Sequence, residues 1–561
     1  MNSTVATFAM EDVWNGDVYY KAPLCPADRF PPWLDGYFFV EIAGSYGNAS
    51  SSDGQKLTHM FDAIGALALF DINPTQSTFT GKYYPSRAYK IWNFYDRDMR
   101  NSKVAWYTYG SPYNRSAKHQ WDPIVHGTLA VDFNPNVDFW LVGNNIMTGA
   151  ESPTTPGLIF NVEHVSDFQL FPFIDVSEMF TNPERGIQPF WIMPIHTREE
   201  PDGSMYGSVV ALDARQANMG IVEELQAIIR IYPNHTRVVE SAMFPWGKLN
   251  LTHCADNGDY EGDKSHITGY MHSITSTEKL LILPITSVLM KPCFPRQPAQ
   301  NESIVYQQQA LPEVDRDTML RFLVYNKTSE RFITEQPLNF SEALFVTHQW
   351  NAYEREDGMI VADMITYGRN IYYAMTREQL ESNATALCQA QLRRFLINLD
   401  NATVTSTSLL PLGQESNQCY EFSNFNKDYI GQRYRYGYAV KNAYCGGSSI
   451  VKLNMDTPEL NPIAEFRPGT DVVVGEPWFV ASPNATAEDD GIILVKASNQ
   501  TAMRGVLYVL DASTFALLTS AETPSSLPPT GLHNRFYSRE QLGMPPTIQS
   551  AAGKRNAFDF T

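Results

Sequence analysis

Short β-prone runs, each closed by glycine, asparagine, aspartate or proline, recur along almost the whole chain, and nowhere do strand and helix alternate as a parallel sheet requires. Clear cases are Trp33–Ile42, Leu67–Ile72, Val137–Val142, Met205–Leu212, Lys279–Val288, Met319–Tyr325, Met359–Met364, Gly491–Ala497 and Gly505–Leu510. Strands at this density predict an all-β barrel, sandwich or propeller. No repeat of fixed period is visible, so a propeller would be an irregular one. Helical periodicity predicts helices only over Gly220–Ile229 and Thr376–Ile397, the second with acidic residues early and Arg393-Arg394 late. Asp202-Gly203, Asp357-Gly358 and Asp490-Gly491 each precede an apolar run and suit type I′ hairpin turns. Apart from the polar loop Arg296–Ser303, no low-complexity linker divides the chain. It reads as one domain over residues 1–561, with a core at about 30–540 and a mobile tail over 545–561.

The 561 residues, 43% hydrophobic, are ample for a large core, and a formal net charge of −19 disfavours any nucleic-acid partner. No window approaches the ~18 consecutive apolar residues of a membrane-spanning helix, and no signal peptide is visible at the N-terminus. Asn-x-Ser/Thr sequons are dense, from Asn2 to Asn499, and point to a glycoprotein of the secretory pathway, extracellular or membrane-associated, with the cytoplasm as the alternative. Six cysteines without a C-x-x-C pair exclude that form of metal or redox chemistry; disulfides are compatible with their number, and the pairing stays open.

Eleven histidines are present and none forms a local ligand pair, so any metal must be held by single residues from separate strands. Strand ends beside turns are the useful filter. His348 passes, before the Asp357-Gly358 turn, and so does His196, before Asp202-Gly203. His272 stands ahead of a strongly apolar run, and His533 lies in a Pro/Gly-tight segment. Any one of these alone is more often a surface or hydrogen-bonded core residue than a ligand.

Together their contexts resemble the carotenoid cleavage oxygenase family, and most closely its metazoan branch of carotene oxygenases and retinoid isomerohydrolase. His348-Gln349-Trp350-Asn351-Ala352-Tyr353-Glu354 is similar to the family's H-x-x-N-A-[WY]-E. Tyr270-Met271-His272-Ser273 resembles its [YM]-x-H-S, and His196 with Gly203 matches its histidine seven residues before a turn glycine. Pro529–Phe536 resembles the terminal P-x-G-[FL]-H-G-x-[FY], with Asn534 for the second glycine. His59-Met60-Phe61-Asp62, Tyr420-Glu421-Phe422, Gly475-Glu476-Pro477, Glu488-Asp489-Asp490-Gly491 and Leu510-Asp511-Ala512 extend the likeness from about Gly36 to Phe536.

The resemblance implies a seven-bladed β-propeller with a helical or loop cap over an axial Fe(II) held by His196, His272, His348 and His533. Glu421 and Glu476 would accept the outer N–H of ligand histidines, fixing tautomer and ring orientation. The implied activity is dioxygenase cleavage of a conjugated double bond in an apolar polyene, a carotenoid or apocarotenoid, with dioxygen as co-substrate. Two alternatives are a retinoid isomerohydrolase using iron as a Lewis acid, and a secreted, non-catalytic binder of an apolar ligand. The family's early third glutamate has no counterpart: Gly143, followed by Asn144, stands where it is expected, which would leave His272 without a carboxylate partner. The P-D-P-C-K segment is also missing; Trp121-Asp122-Pro123-Ile124 has no cysteine, so a lipid anchor there is not expected. Met243–Trp246 and Ile282–Phe294 are candidates for monotopic membrane contact.

Overall fold

The computed structural model describes most of residues 20–45, 60–84, 136–161, 187–293, 312–375, 389–409, 420–443 and 449–547. The described strands form seven antiparallel sheets arranged in chain order, the blades of a β-propeller. The first sheet is closed by both ends of the chain: Gly36–Ser45 pairs on one side with Ile64–Ile72 and on the other with Gly531–Ser538. The next blades begin with Asp138–Val142, Ile187–Glu199, Thr275–Ser276, Phe345–Glu354, Tyr420–Asn424 and Val472–Ala481. All nine runs named from the sequence lie on or overlap strands.

Both helix expectations fail where the structure describes them. Ile221–Ile231 is a strand between Met205–Asp213 and Arg237–Asn250. Val222 and Ile228 pack into the central core, while Leu225, Ala227, Ile229 and Ile231 pack into a second cluster toward the neighbouring blade. A strand buried on both faces loses its two-residue alternation, and the mixture left behind imitates a helical period. Gln391–Asn398 is likewise a strand, and Arg394 pairs with Asp363 on the adjoining strand rather than a helix terminus. Residues 376–388 lie outside the described residues.

The aspartate–glycine turns are also of another kind. Gly203 and Gly358 have positive φ, +75° and +82°, but their aspartates do not. Arg355 N–H bonds to the Met359 carbonyl and Gly358 N–H to that of Arg355, the three-residue hairpin that ends on a left-handed glycine. Gly491 opens a strand and has no positive φ.

The candidate membrane segments are core: Phe244 and Trp246 are buried, as are Ile282, Leu283, Ile285, Val288 and Cys293. No helix among the described residues is long and apolar enough to cross a membrane. Cys254 and Cys293 form a disulfide, with Cα atoms 5.6 Å apart. The other four cysteines lie outside the described residues. Of the expected tail, Thr547 is bonded to Asp35 through both its N–H and its hydroxyl, and residues 548–561 lie outside the described residues.

Glu224 on the Ile221–Ile231 strand is wholly buried, and burial pushes its carboxyl up to about 8, although the Thr268 N–H bonds one oxygen. The unfolded chain gives up this proton near 4.5, so between about 4.5 and 8 the folded state holds more protons and stability falls as pH rises. Glu224→Gln keeps the acceptor and removes the charge. It is expected to raise the unfolding temperature at pH 8 by several degrees and to leave it nearly unchanged at pH 4.5, read by thermal denaturation at both values.

Candidate metal centre

Three of the four histidines are carried by first strands of sheets, or by the strand that closes the ring; His272 stands just before Thr275–Ser276. In this last case a parallel bridge joins His196 to Ser273, with backbone bonds from His196 N–H to the His272 carbonyl and from Ile274 N–H to that of His196. The ladders slip where site residues occur. Register shifts fall between Met193 and Arg198, Val346 and Gln349, Val474 and Pro477, and at Glu421. Bulges of this kind re-aim side chains, and here they turn residues off the blade faces toward the axis.

The four side chains meet there. One nitrogen from each of His196, His272, His348 and His533 lies within 4.8 Å of the others. Ring centroids are 4.1 Å apart for His196 and His533 and 4.5 Å for His196 and His272.

What lies behind each ring decides what it presents to the centre. His348 Nδ1 is 2.5 Å from Glu421, which also accepts from the Thr347 and Tyr367 hydroxyls. His533 Nδ1 is 3.4 Å from Glu476, whose other oxygen accepts the Asn534 N–H at 2.8 Å. His196 Nδ1 is 2.8 Å from Asp138, and the Tyr270 hydroxyl stands 2.9 Å from His272 Nδ1. A carboxylate at Nδ1 holds a proton there, so Nε2 carries a lone pair. His348 Nε2 is buried with no hydrogen-bond partner, and the Nε2 atoms of His196 and His272 face each other at 3.0 Å. Three rings thus turn lone pairs to the centre, and His272 does the same when its Nδ1–H donates to the Tyr270 oxygen; converging lone pairs are what a borderline divalent cation needs, and the residues therefore fit a metal.

Electrostatics agree. Burial, reinforced by neighbouring histidines, keeps His196 and His272 well below the usual imidazole range and hence neutral. Burial raises Asp138, but the Arg535 charge and the His196 bond outweigh it and hold the carboxyl far below its ordinary value. Glu421 is likewise lowered against burial, chiefly by His348.

Asp138, Tyr270 and Arg535 were not singled out from the sequence, although Tyr270 and Arg535 lie inside quoted motifs. The carboxylate sought at Gly143 is supplied five residues earlier on the same strand, and it serves His196. Gly143 is the hairpin glycine after that strand, at φ +60°, where a Cβ would collide with the Pro233 carbonyl. A side chain there would force the Pro233 backbone to shift. His59 lies outside the described residues.

The surroundings of the centre are two-sided. Tyr270 and Phe345, which precede ligands, stack with centroids 5.8 Å apart, and Tyr372 packs against both Phe345 and His272. Phe422, at the unusual φ of +55°, packs on His348 and His533. Residues that follow ligands, among them Arg198, Trp350 and Arg535, line a polar pocket.

Comparison with known proteins agrees with this arrangement. Residues 245–538 match the family described as retinal pigment epithelial membrane protein, RPE65. Human beta,beta-carotene 15,15'-dioxygenase is 28% identical over 539 residues, covering 88% of each chain. Apocarotenoid-15,15'-oxygenase of Synechocystis is 30% identical over 175 residues, 30% of this chain and 34% of that protein. The crystal structure of the cobalt-substituted Synechocystis enzyme superposes with a TM-score of 0.67 at 16% identity, covering 94% of this chain and 98% of that one, which shows a shared fold.

Asp138→Asn keeps the shape but removes the charge that fixes the His196 tautomer and neutralises Arg535. Affinity for a divalent metal is expected to fall about 10–100-fold, read by competition with a chromogenic chelator. Unchanged affinity would show that Asp138 serves Arg535 alone.

Proposed function

The chain belongs to the family of RPE65 and the carotenoid cleavage oxygenases, and from that premise we propose that it is an Fe(II)-dependent dioxygenase cleaving a conjugated double bond of a carotenoid or apocarotenoid. The observation that carries this reading is the convergence of four imidazoles whose outer nitrogens are held by Asp138, Tyr270, Glu421 and Glu476. In this reading His196, His272, His348 and His533 are the metal ligands.

Four neutral ligands keep the positive charge on the metal undiminished and suit Fe(II), which when bound supplies the activation of dioxygen. The protein's own groups do the rest. Asp138, Glu421 and Glu476 accept the outer N–H of His196, His348 and His533, which fixes the tautomer and orients the inner lone pairs toward the centre. Phe345, Tyr372 and Phe422 form an apolar wall that would align a rigid polyene and exclude water from it. Cleavage of an alkene by dioxygen needs no general acid or base, and the wall supplies none.

Aerobic incubation of the iron-loaded protein with a panel of carotenoids, followed by chromatography, is expected to give aldehyde or ketone products. His348→Ala is expected to abolish both iron retention and product. An unchanged carotenoid spectrum over hours with iron fully bound would overturn the proposal.

Glycosylation is a separate part of this reading. The described sequon asparagines Asn234, Asn250, Asn339, Asn401 and Asn484 are exposed, and Asn326 and Asn499 are partly so. The disulfide between Cys254 and Cys293 favours the same oxidising compartment. Protein from its native source is expected to lose mass on treatment with an endoglycosidase, and an unchanged mass would overturn this part alone.

A further inference from the structure

The pocket on the polar side of the four histidines has more positive charge than its own carboxylates neutralise. Arg198, Lys427 and Arg535 all line it. Arg535 is paired with Asp138 through two bonds, at 3.0 and 2.6 Å. Arg198 donates to the Thr275 hydroxyl, a neutral acceptor, and its Nε is buried without a partner. Lys427 makes no ion pair among the described residues; its ammonium lies over the rings of Phe425 and Trp478, at 4.4 and 5.1 Å. Of the nearby carboxylates, Glu200 pairs with Lys327, while Glu476 and Glu199 take hydrogen bonds from neutral donors and their charge offsets part of that of Lys427 and Arg198.

Neutral donors point the same way. Asn424 Nδ2 and Trp350 Nε1 belong to side chains 1% exposed that line this pocket, and neither has a hydrogen-bond partner. The Thr197 hydroxyl is also buried and unpartnered there; Gln349 Oε1, unpartnered as well, is an acceptor and adds nothing to the attraction for an anion. Several unsatisfied donors in one pocket, together with one cation in excess of the carboxylates that line it, mark a site for a ligand that accepts hydrogen bonds and carries negative charge. Burial, with Arg535 and Arg198 adding to it and Glu476 and Glu199 only partly opposing it, pulls Lys427 down to about 7.

We propose that this pocket, which borders the metal centre, binds a small carboxylate-class oxyanion between Arg198, Lys427, Asn424 and Trp350. The inference rests on the reading that the four histidines hold a metal, whose charge adds to the attraction. A planar oxyanion matches the unused donors of an arginine fork and an ammonium, and charge-assisted bonds of this kind are about twice as strong as neutral ones.

The test uses the full-length protein loaded with cobalt(II), without polyene. Titration with carbon-13 formate is expected to show saturable paramagnetic broadening of the formate carbon. In Lys427→Met the apparent Kd should rise about tenfold or more. Arg198→Lys, which keeps charge but loses the fork, should fall between the two. Metal content and melting temperature confirm that the variants are intact. Absence of saturable broadening in the wild type overturns the proposal, and so does equal binding by both variants, which would place formate on the metal alone. Calorimetric titration of formate into metal-free protein is the second measurement: heat lost in Lys427→Met supports the pocket, and no heat in the wild type overturns it. Neither measurement uses polyene or dioxygen, so failure of carotenoid cleavage and failure of anion binding are read separately.

Discussion

The ladder between Gly36–Ser45 and Gly531–Ser538 is the pairing on which the centre depends. It joins residues some 500 positions apart in the sequence, and it places His533, Asn534 and Arg535 at the axis in one step. Without it the first sheet would lose its innermost strand, His533 would leave the ligand set, and Asp138 would lose the guanidinium that keeps it ionised. Ring closure and metal-site assembly are thus one event. Long-range pairing of this kind gains nothing until the intervening blades have formed, because the loop-closure entropy comes first.

Once closed, the ring solves an electrostatic problem. Carboxylates buried at the axis would ordinarily take up protons, as Glu224 does at its site away from the histidines. Asp138 and Glu421 stay ionised because each is surrounded by donors: Arg535 and His196 for the first, His348, Tyr367 and Thr347 for the second. The contrast between Glu224 and Glu421, both fully buried, shows that burial alone does not set ionisation. The number and charge of the donors does.

Most of the strands were legible because their runs are apolar and their ends are marked by turn residues. Ile221–Ile231 was not, since a strand buried on two sides has no alternation to read. The histidines His196, His272, His348 and His533 stood out only jointly, through four local contexts in order; nothing in the spacing of 196, 272, 348 and 533 states that they converge. Asp138 was invisible for a different reason. A search for the missing carboxylate by analogy looked at Gly143, whereas the chain uses an aspartate at the base of the strand and a phenol, Tyr270, for the neighbouring ring. A shorter acid can serve only if its histidine comes closer, and that is a property of the bulge between Met193 and Arg198, which no local sequence signal encodes.

The two-sidedness of the centre follows from the same geometry. Tyr270 and Phe345 come before their ligands, and Arg198, Trp350 and Arg535 come two residues after theirs. Alternation along a strand puts residues two apart on one face, so positions following a ligand by two are also directed to the axis, one step further along it. The histidines are therefore flanked by two kinds of side chain, aromatic rings and cations. An apolar polyene would be drawn to the first by desolvation and an acid group to the second by charge, with no moving part required.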